Sequence, residues 1–413
     1  MAGTARRVAE QAARTSYGKL LAILASRSRD IARAEDALSD AFAKALERWP
    51  ERGIPANPDA WLLTTARNAM SNEHRHDRIR DTAASELARH YDELADTSRE
   101  FADERLKLLF VCAHPAIDPA ARTPLMLQTV LGLDAARIAA SFLTPSATMG
   151  QRLVRAKTRI RETGLRFAVP EAERLRERLP DVLDAIYAAF GTGWDAGADQ
   201  ADDLRGLPEE AIYLSRLLLD LLPDAPEAMG LLSLMLFTHA RRAARRGPDG
   251  AFVPLDAQDA RLWDRDLVIE AETLLTTASR FGQFGRYLCE AAIQSVHAQR
   301  AVTGRLNLGA LETLYRLLLS HHPTIGGGVA LASVLRQQGR VAEALAMLDG
   351  FAVGSVATYQ PFWVLRAHCQ RDLAWPFEAT AMTAVRMTHD RSLRAYLARE
   401  FGLSADDLFD LPK

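Results

Sequence analysis

The chain has 413 residues, 48% of them hydrophobic and 25% charged, proportions typical of a protein with two or three globular domains. Its three cysteines, at positions 112, 289 and 369, are far apart and odd in number, which argues against a disulfide framework and for a reducing compartment. No stretch approaches the roughly 20 apolar residues of a membrane span, and the amino terminus lacks the apolar core of a signal peptide. We therefore expect a cytoplasmic protein without a membrane partner.

The net charge of −2 conceals an uneven distribution along the chain. Lysine and arginine minus aspartate and glutamate gives +4 for residues 1–80, −6 for 81–104, +7 for 105–168 and −7 for 169–413. This partition predicts two basic modules joined by an acidic linker, followed by an acidic carboxyl-terminal domain. Nucleic-acid contact is then expected only in the first 170 or so residues.

The first basic module is predicted to contain helices over 4–28, 30–49 and 59–80. Alanine and leucine are abundant and alternating Val/Ile-rich runs are missing, so the predicted fold class is all-α. Asp30 is a plausible N-cap of the second helix, whose buried stripe is predicted to be Ile31, Ala34, Leu38, Phe42, Ala45, Leu46 and Trp49. The opposite, acidic face suits a protein partner better than DNA, with a solvated surface as the alternative.

Residues 133–161 predict a helix, a tight turn and a second helix with one charged side. Thr144 is expected to cap the second helix, with Pro145 at its first position. The apolar residues Met149, Leu153, Ala156 and Ile160 recur on one face. A short helix rich in arginine and braced by an apolar partner is a form that enters the DNA major groove. The alternative is an amphipathic core helix with a solvated basic face.

The acidic domain is predicted as a series of helices over 174–190, 208–222, 225–246, 259–280, 284–299, 308–321, 327–338, 341–350, 358–373 and 376–388, with loops at 191–206 and 247–258. Residues 337–350 and 370–385 form a weak internal repeat at an offset of 35 residues. This offset is typical of tetratricopeptide-like helix pairs.

Several segments together resemble a sigma factor of the extracytoplasmic-function type, which belongs to the sigma-70 group. AEDALSDAFAKALERWP resembles its polymerase-binding helix, DAWLLTTARNAMSNEHR its −10 helix, and LDAARIAASFLTPSATMGQRLVRAKTRIRE its −35 helix-turn-helix. DAPEAMGLLSLMLFTHARRAAR and VPLDAQDARLWDRDLVIEA resemble segments of the subgroup with a tetratricopeptide-like extension. The resemblance implies region 2 over 1–80, a linker over 81–104, region 4 over 105–168 and a regulatory domain over 169–413.

The resemblance also implies partners and site residues. The partners are promoter DNA and the clamp and flap regions of core RNA polymerase, and residues 169–413 are expected to contact the sigma modules. The expected polymerase-binding residues are Glu35, Asp36, Ser39, Asp40, Ala43 and Lys44. The expected −10 residues are Asn57, Asn68, Ser71, Asn72, His74 and Arg75. The expected −35 residues are Ser146, Thr148, Gln151, Arg152, Arg155, Lys157 and Arg159.

Some residues depart from the family pattern or allow two interpretations. Gly150 stands where the recognition helix often has lysine, and residues 71–76 hold histidines and Glu73 where a basic run is usual. Trp61 is more plausibly a core anchor than a surface on which a base stacks. Arg241, Arg242, Arg245 and Arg246 suit either an acidic partner or a solvated helix end. Asp256, Asp259, Arg261, Trp263 and Asp264 suit capping and ion pairs better than a ligand site.

Two other classes of function compete with a sigma factor. A stand-alone helix-turn-helix regulator with a ligand-sensing helical domain is the alternative, although it has no need of the segment over 30–80. An enzyme has little support, because the sequence has no phosphate-binding glycine loop and no nucleophile elbow. Cys112 and His114 are followed by no second pair at ligand spacing. We therefore expect neither a metal nor a cofactor.

Overall fold

A computed structural model describes residues 2–77, 98–142, 144–195, 206–388 and 390–403. In these ranges the regular elements are helices, with an isolated antiparallel bridge between Arg246 and Phe252, so the predicted all-α class is confirmed. None of the described helices is long and apolar enough to cross a membrane. Contacts divide the chain into two compact units, formed by the described residues up to Leu221 and by those from Leu222 onward.

The first unit begins with helices α1 (Ala2–Ser28), α2 (Ile31–Arg52) and α3 (Pro58–Asp77), which pack on one another. The Asp30 side chain caps α2 by accepting a hydrogen bond from the backbone N–H of Arg33 at 3.1 Å. The predicted stripe is buried except at Phe42, which is half-buried, and Leu46, which is 49% exposed. The helix also continues through Pro50, beyond its predicted end at residue 49, because a proline in the last turn removes a single backbone hydrogen bond.

Four further helices of the first unit are α4 (Ser98–Cys112), α5 (Pro119–Thr129), α6 (Ala135–Ser141) and α7 (Ser146–Thr163). Of the predicted acidic linker, residues 81–97 lie outside the described residues, whereas 98–104 are helical and belong to α4. Asp134 caps α6 as it accepts from the backbone N–H groups of Ala136 and Arg137. The prediction that Thr144 caps α7 is wrong, because Pro145 is the N-cap residue and the Thr144 hydroxyl donates to the Phe142 carbonyl at 3.0 Å.

Helices α8 (Ala172–Asp195) and α9 (Leu207–Leu221) also belong to the first unit, beyond the boundary that the sequence placed at 168/169. They pack on each other and on α4, and α8 also packs on α5. Arg122 of α5 donates to the Asp181 carboxylate of α8 at 2.8 Å. Arg178 of α8 donates to the Phe110 carbonyl of α4 at 3.0 Å. The change of charge near residue 169 therefore marks two complementary surfaces and not the edge of a folded unit.

The second unit is built from α10 (Pro226–Ala240), α11 (Arg265–Ser279), α12 (Arg286–Thr303), α13 (Leu308–His321), α14 (Ile325–Gln337), α15 (Val341–Asp349), α16 (Val353–Val356), α17 (Gln360–Asp372), α18 (Glu378–Arg386) and α19 (Arg391–Phe401). The predicted helix over 225–246 ends at Ala240 and is followed by a 3-10 turn, Arg242–Arg245. The predicted helix over 259–280 begins as a 3-10 turn and becomes α-helical at Arg265. Helices α16 and α19 were not predicted.

The weak sequence repeat corresponds to two helix pairs with the same turn geometry. Helices α14 and α17, which begin the two pairs, start at residues 325 and 360. Their turns place Gly339 at φ 82° and Ala374 at φ 58°, both left-handed, at equivalent positions. The Gly339 N–H donates to Arg336 and the Ala374 N–H to Arg371, at 2.9 and 3.0 Å. The offset of 35 residues is therefore present in backbone conformation as well as in sequence.

Candidate polymerase and promoter interface

The polar face of α2 holds the residues predicted to bind polymerase. Asp36, Ser39, Asp40 and Ala43 are exposed, and Lys44 is half-buried. Arg33 of α2 donates to the Met70 carbonyl of α3 at 2.8 Å, which fixes α2 against α3. Ser16 of α1 donates to the Asp59 carboxylate of α3 at 2.7 Å, which fixes α3 against α1. The result is an acidic surface held rigidly beside α3.

Glu35 differs from the rest of this predicted face because its carboxylate forms an ion pair with Lys157 of α7. The Glu35 side chain is 16% exposed and that of Lys157 is 10% exposed. Burial raises the pKa of Glu35, and the Lys157 ammonium opposes that shift. In this conformation the pair holds Glu35 away from a protein partner and Lys157 away from DNA. Sequence periodicity placed both on polar faces but gave no sign of their contact.

A small cleft lies where α2 and α7 meet. Its volume is about 230 Å³, and its walls include the Glu35–Lys157 pair and the exposed side chain of Val154. At one end Arg161 lies 3.9 Å from the carboxylate of Asp30. Two pairs of oppositely charged side chains, Glu35–Lys157 and Asp30–Arg161, thus join the end of α7 to the beginning of α2.

The remaining predicted −35 residues lie along α7. Met149, Leu153, Ala156 and Ile160 are all buried, so the predicted apolar stripe faces the core. The other side of the helix is exposed at Ser146, Thr148, Gln151, Arg155 and Arg159. Arg152 is half-buried and donates to the Ala120 carbonyl at 3.3 Å, which ties it to α5. Arg155 is therefore more exposed to an approaching ligand than Arg152.

The predicted −10 residues begin just before α3. The Asn57 side chain accepts a hydrogen bond from the Ala60 N–H at 3.0 Å, so it serves as a cap in this structure. Asn68 and Ser71 are exposed on the helix. Asn72, His74 and Arg75 are in α3, but their side chains lie outside the described residues. Trp61 packs edge-on against Trp49 with ring centroids 5.5 Å apart, which agrees with the core interpretation.

The charged residues singled out in the second unit make internal contacts. Arg246 forms an ion pair with Asp390, and Arg241 donates to the Gln294 side chain at 2.9 Å. Asp259 caps the 3-10 turn and pairs with Arg261 on the surface, as the capping interpretation proposed. Among the described residues, no group of three or more His, Cys, Asp or Glu side chains is placed to hold a metal ion.

Comparison with known proteins identifies two segments. Residues 13–79 match the family described as Sigma-70 region 2, and this range takes in most of α1 and all of α2 and α3. Residues 178–279 match a second family, described as "Family of unknown function (DUF6596)". An uncharacterised protein of Rhizobium meliloti (strain 1021) is 38% identical over 331 residues, which are 78% of each chain. No solved structure matches the chain significantly.

A region 2 module of this type defines the sigma-70 class of transcription initiation factors, which bind core RNA polymerase and promoter DNA. The chain belongs to the same family as the Rhizobium meliloti protein. Its region 2 match supports a place for that family in the sigma-70 class. A stand-alone regulator has no need of region 2, so the alternative raised by the sequence has no support.

Proposed function

We propose that this protein is a sigma factor of the extracytoplasmic-function type that directs core RNA polymerase to specific promoters from the cytoplasm. Helix α2 binds the polymerase clamp, α3 contacts the −10 element and α7 contacts the −35 element. The observation that carries the proposal is the coincidence of the region 2 match with the acidic, exposed face of α2. Carboxylates at that position repel DNA and suit a protein partner.

The proposed role of α7 rests on its shape and its charge. Its apolar stripe is buried, whereas Gln151, Arg155 and Arg159 are exposed. Arginine donates two hydrogen bonds to guanine in the major groove, and glutamine does the same with adenine. Ser146 and Thr148 in the first turn are suited to phosphate contacts. Helices α5 and α6 pack on α7, and α5 also packs on α8.

The carboxyl-terminal segment has two proposed roles. Helices α8 and α9 complete the helix-turn-helix module, since α4 and α5 bury apolar and charged groups against them. The second unit is a tetratricopeptide-like domain, an architecture supported by the matching turns at Gly339 and Ala374. We assign it a regulatory role. Repeats of this kind bind peptides or neighbouring domains on extended surfaces.

The test of the polymerase contact is complex formation between the full chain and purified bacterial core polymerase. We expect a stable complex that Asp36→Lys/Asp40→Lys weakens at least about tenfold, because like charges then face the site that accepted carboxylates. Asp220→Lys, an exposed charge reversal on α9, is the matched control and should bind as the unmodified protein does. Absence of any complex, with a polymerase preparation active with another sigma factor, would contradict the proposal.

A further inference from the structure

A cluster of cationic side chains lies within the second unit, where the end of α10 packs on α12. Arg241, the residue that follows α10, donates from its guanidinium to the Gln294 side chain of α12 at 2.9 Å. Along α12, Gln294, His297 and Arg300 follow one another at intervals of three residues, and all three are half-buried. Residues spaced in this way are neighbours on a helix surface. They therefore form a polar stripe beside Arg241.

The loop between α10 and α11 folds over the same place. Arg300 donates to the backbone carbonyls of residues 255 and 256 at 2.7 and 3.0 Å. Its guanidinium also lies over the buried Trp263 ring, 5.6 Å from the centroid. The Asp264 N–H donates to the Ala240 carbonyl at 2.9 Å, which returns the loop to the end of α10. These contacts fix the Arg300 side chain within the cluster.

The cluster holds positive charge that no described carboxylate compensates. Among the described residues, no aspartate or glutamate oxygen lies within 4 Å of the Arg241 or Arg300 guanidinium. The buried Nε of Arg241 and Nε1 of Trp263 also have no hydrogen-bond partner there. Burial and the nearby charges of Arg245 and Arg300 lower the pKa of Arg241 to about 10. Burial, Arg241 and Arg300 lower that of His297 to about 4, so at pH 7 the imidazole is neutral while the guanidiniums are charged.

The charge and the donors of the cluster indicate which kind of ligand it suits. Buried charges in proteins are normally paired, and two guanidiniums call for about two negative charges. A phosphate monoester carries about −1.5 to −2 at neutral pH and offers three acceptor oxygens, whereas a carboxylate supplies a single charge. Arginine binds phosphate through two parallel hydrogen bonds. The neutral imidazole of His297 retains one N–H donor for a further oxygen.

We propose that Arg241, His297 and Arg300 form a binding site for the phosphate group of a small ligand. Gln294 orients the Arg241 guanidinium, and the loop around residues 255–263 positions Arg300. The site lies within the second unit, so the inference goes beyond the proposed function and does not depend on polymerase or promoter binding.

Calorimetric titration of the full chain with inorganic phosphate and with glycerol 3-phosphate, in chloride buffer of constant ionic strength, tests the site. We expect saturable binding, with acetate at least about tenfold weaker because it carries one charge. Binding of the free ion as tightly as the monoester would show that the phosphate group suffices, and tighter binding of the monoester would indicate a phosphorylated metabolite; both results support the site. No saturable binding of either phosphate, or acetate bound as tightly, would overturn the proposal.

Arg241→Gln locates the binding within the chain. It should weaken phosphate binding at least about tenfold, the lower end of the effect of losing a hydrogen bond to a charged group. Arg241→Lys should lose less affinity, because it keeps the charge but not the planar fork. Arg305→Gln, at an exposed position just beyond α12, is the matched control and should bind as the parent does. Equal phosphate affinity in Arg241→Gln and the parent would overturn the assignment.

Thermal melting separates a ligand site from a cluster with a purely structural role. Without phosphate, Arg241→Gln should melt at the parent temperature or above it, because it removes a charge that lacks compensation. Added phosphate should raise the Tm of the parent and of Arg305→Gln, since a ligand that binds the folded state stabilises it, and should leave that of Arg241→Gln nearly unchanged. A Tm of Arg241→Gln below that of the parent without phosphate, or an equal rise with phosphate in both, would contradict the proposed site.

Discussion

Replacing Glu210 by alanine tests whether α8 and α9 are part of the first folded unit. The Arg105 side chain of α4 is only 3% exposed and forms an ion pair with Glu210 of α9. Its guanidinium also lies over the Tyr213 ring, 5.3 Å from the centroid. Two of its nitrogens, Nε and Nη2, have no hydrogen-bond partner among the described residues. Glu210 is therefore the group that compensates this buried charge.

The expected cost follows from this geometry. Removing one partner of a buried ion pair destabilises a protein by about 3–5 kcal/mol, because a charge is left without compensation. The Glu210 side chain is 34% exposed, so water replaces part of the lost interaction and we expect about 2–3 kcal/mol. Asp220→Ala, at an exposed position of the same helix, should change stability by less than about 0.5 kcal/mol.

Hydrogen exchange measured by mass spectrometry separates the two units in the full chain. Peptides from α4 and α9 should exchange faster in Glu210→Ala, by the factor that 2–3 kcal/mol implies, about 30- to 150-fold. Peptides from α10 and α12 in the second unit should be unchanged. Unaltered exchange in α4, or the same change in Asp220→Ala, would refute the assignment of α8 and α9 to the first unit.

Three further predictions concern the domain boundary and the second unit. A chain ending at residue 168 should aggregate or lose its cooperative melt, because α4 and α5 lose their cover, whereas one ending at Leu221 should melt cooperatively. Ala374→Gly should leave stability unchanged or raise it by up to about 1 kcal/mol, since glycine relieves the left-handed conformation. Gly339→Ala should cost about 1–2 kcal/mol, because alanine then takes up that conformation. Urea unfolding followed by tryptophan fluorescence measures both changes in stability. Burial, aided by nearby Arg241 and Arg300, lowers the pKa of His297 to about 4. The unfolded imidazole binds a proton near pH 6.5, so the unfolded state gains stability as the pH falls from 6.5 towards 4. From pH 7 to pH 5 the second unit should lose about 2 kcal/mol through this group, and His297→Gln should remove that part of the pH dependence.

Local features of the fold were predictable from the sequence because they depend on near neighbours. The spacing of Met149, Leu153, Ala156 and Ile160 identified the buried side of α7, and all four are buried. Asp30 was identified as a cap because a short acidic side chain precedes an amphipathic run. Leu46 was misplaced because it lies at the edge of the stripe, where the extent of burial depends on the neighbouring helix.

Contacts between distant segments could not be predicted in this way. Periodicity shows that Glu35 and Lys157 lie on polar faces, but it gives no information on a partner 122 positions away. The boundary at 168/169 was placed by charge, yet the basic Arg105 and Arg122 are compensated by Glu210 and Asp181 beyond it. Gly18 of α1 packs directly on the backbone of Val130, and this approach has no sequence signal, since one glycine within a helix gives no indication of what packs on it.

The most direct test of the central claim is multi-round run-off transcription with purified core polymerase and the full chain, on a library of upstream regions that includes the one before its own gene. The account predicts specific transcripts that Arg155→Ala abolishes or strongly weakens. Arg305→Ala, an exposed arginine of the second unit, should leave them unchanged. A stable polymerase complex that yields no specific transcript from any template, with the same polymerase active with another sigma factor, would contradict the account.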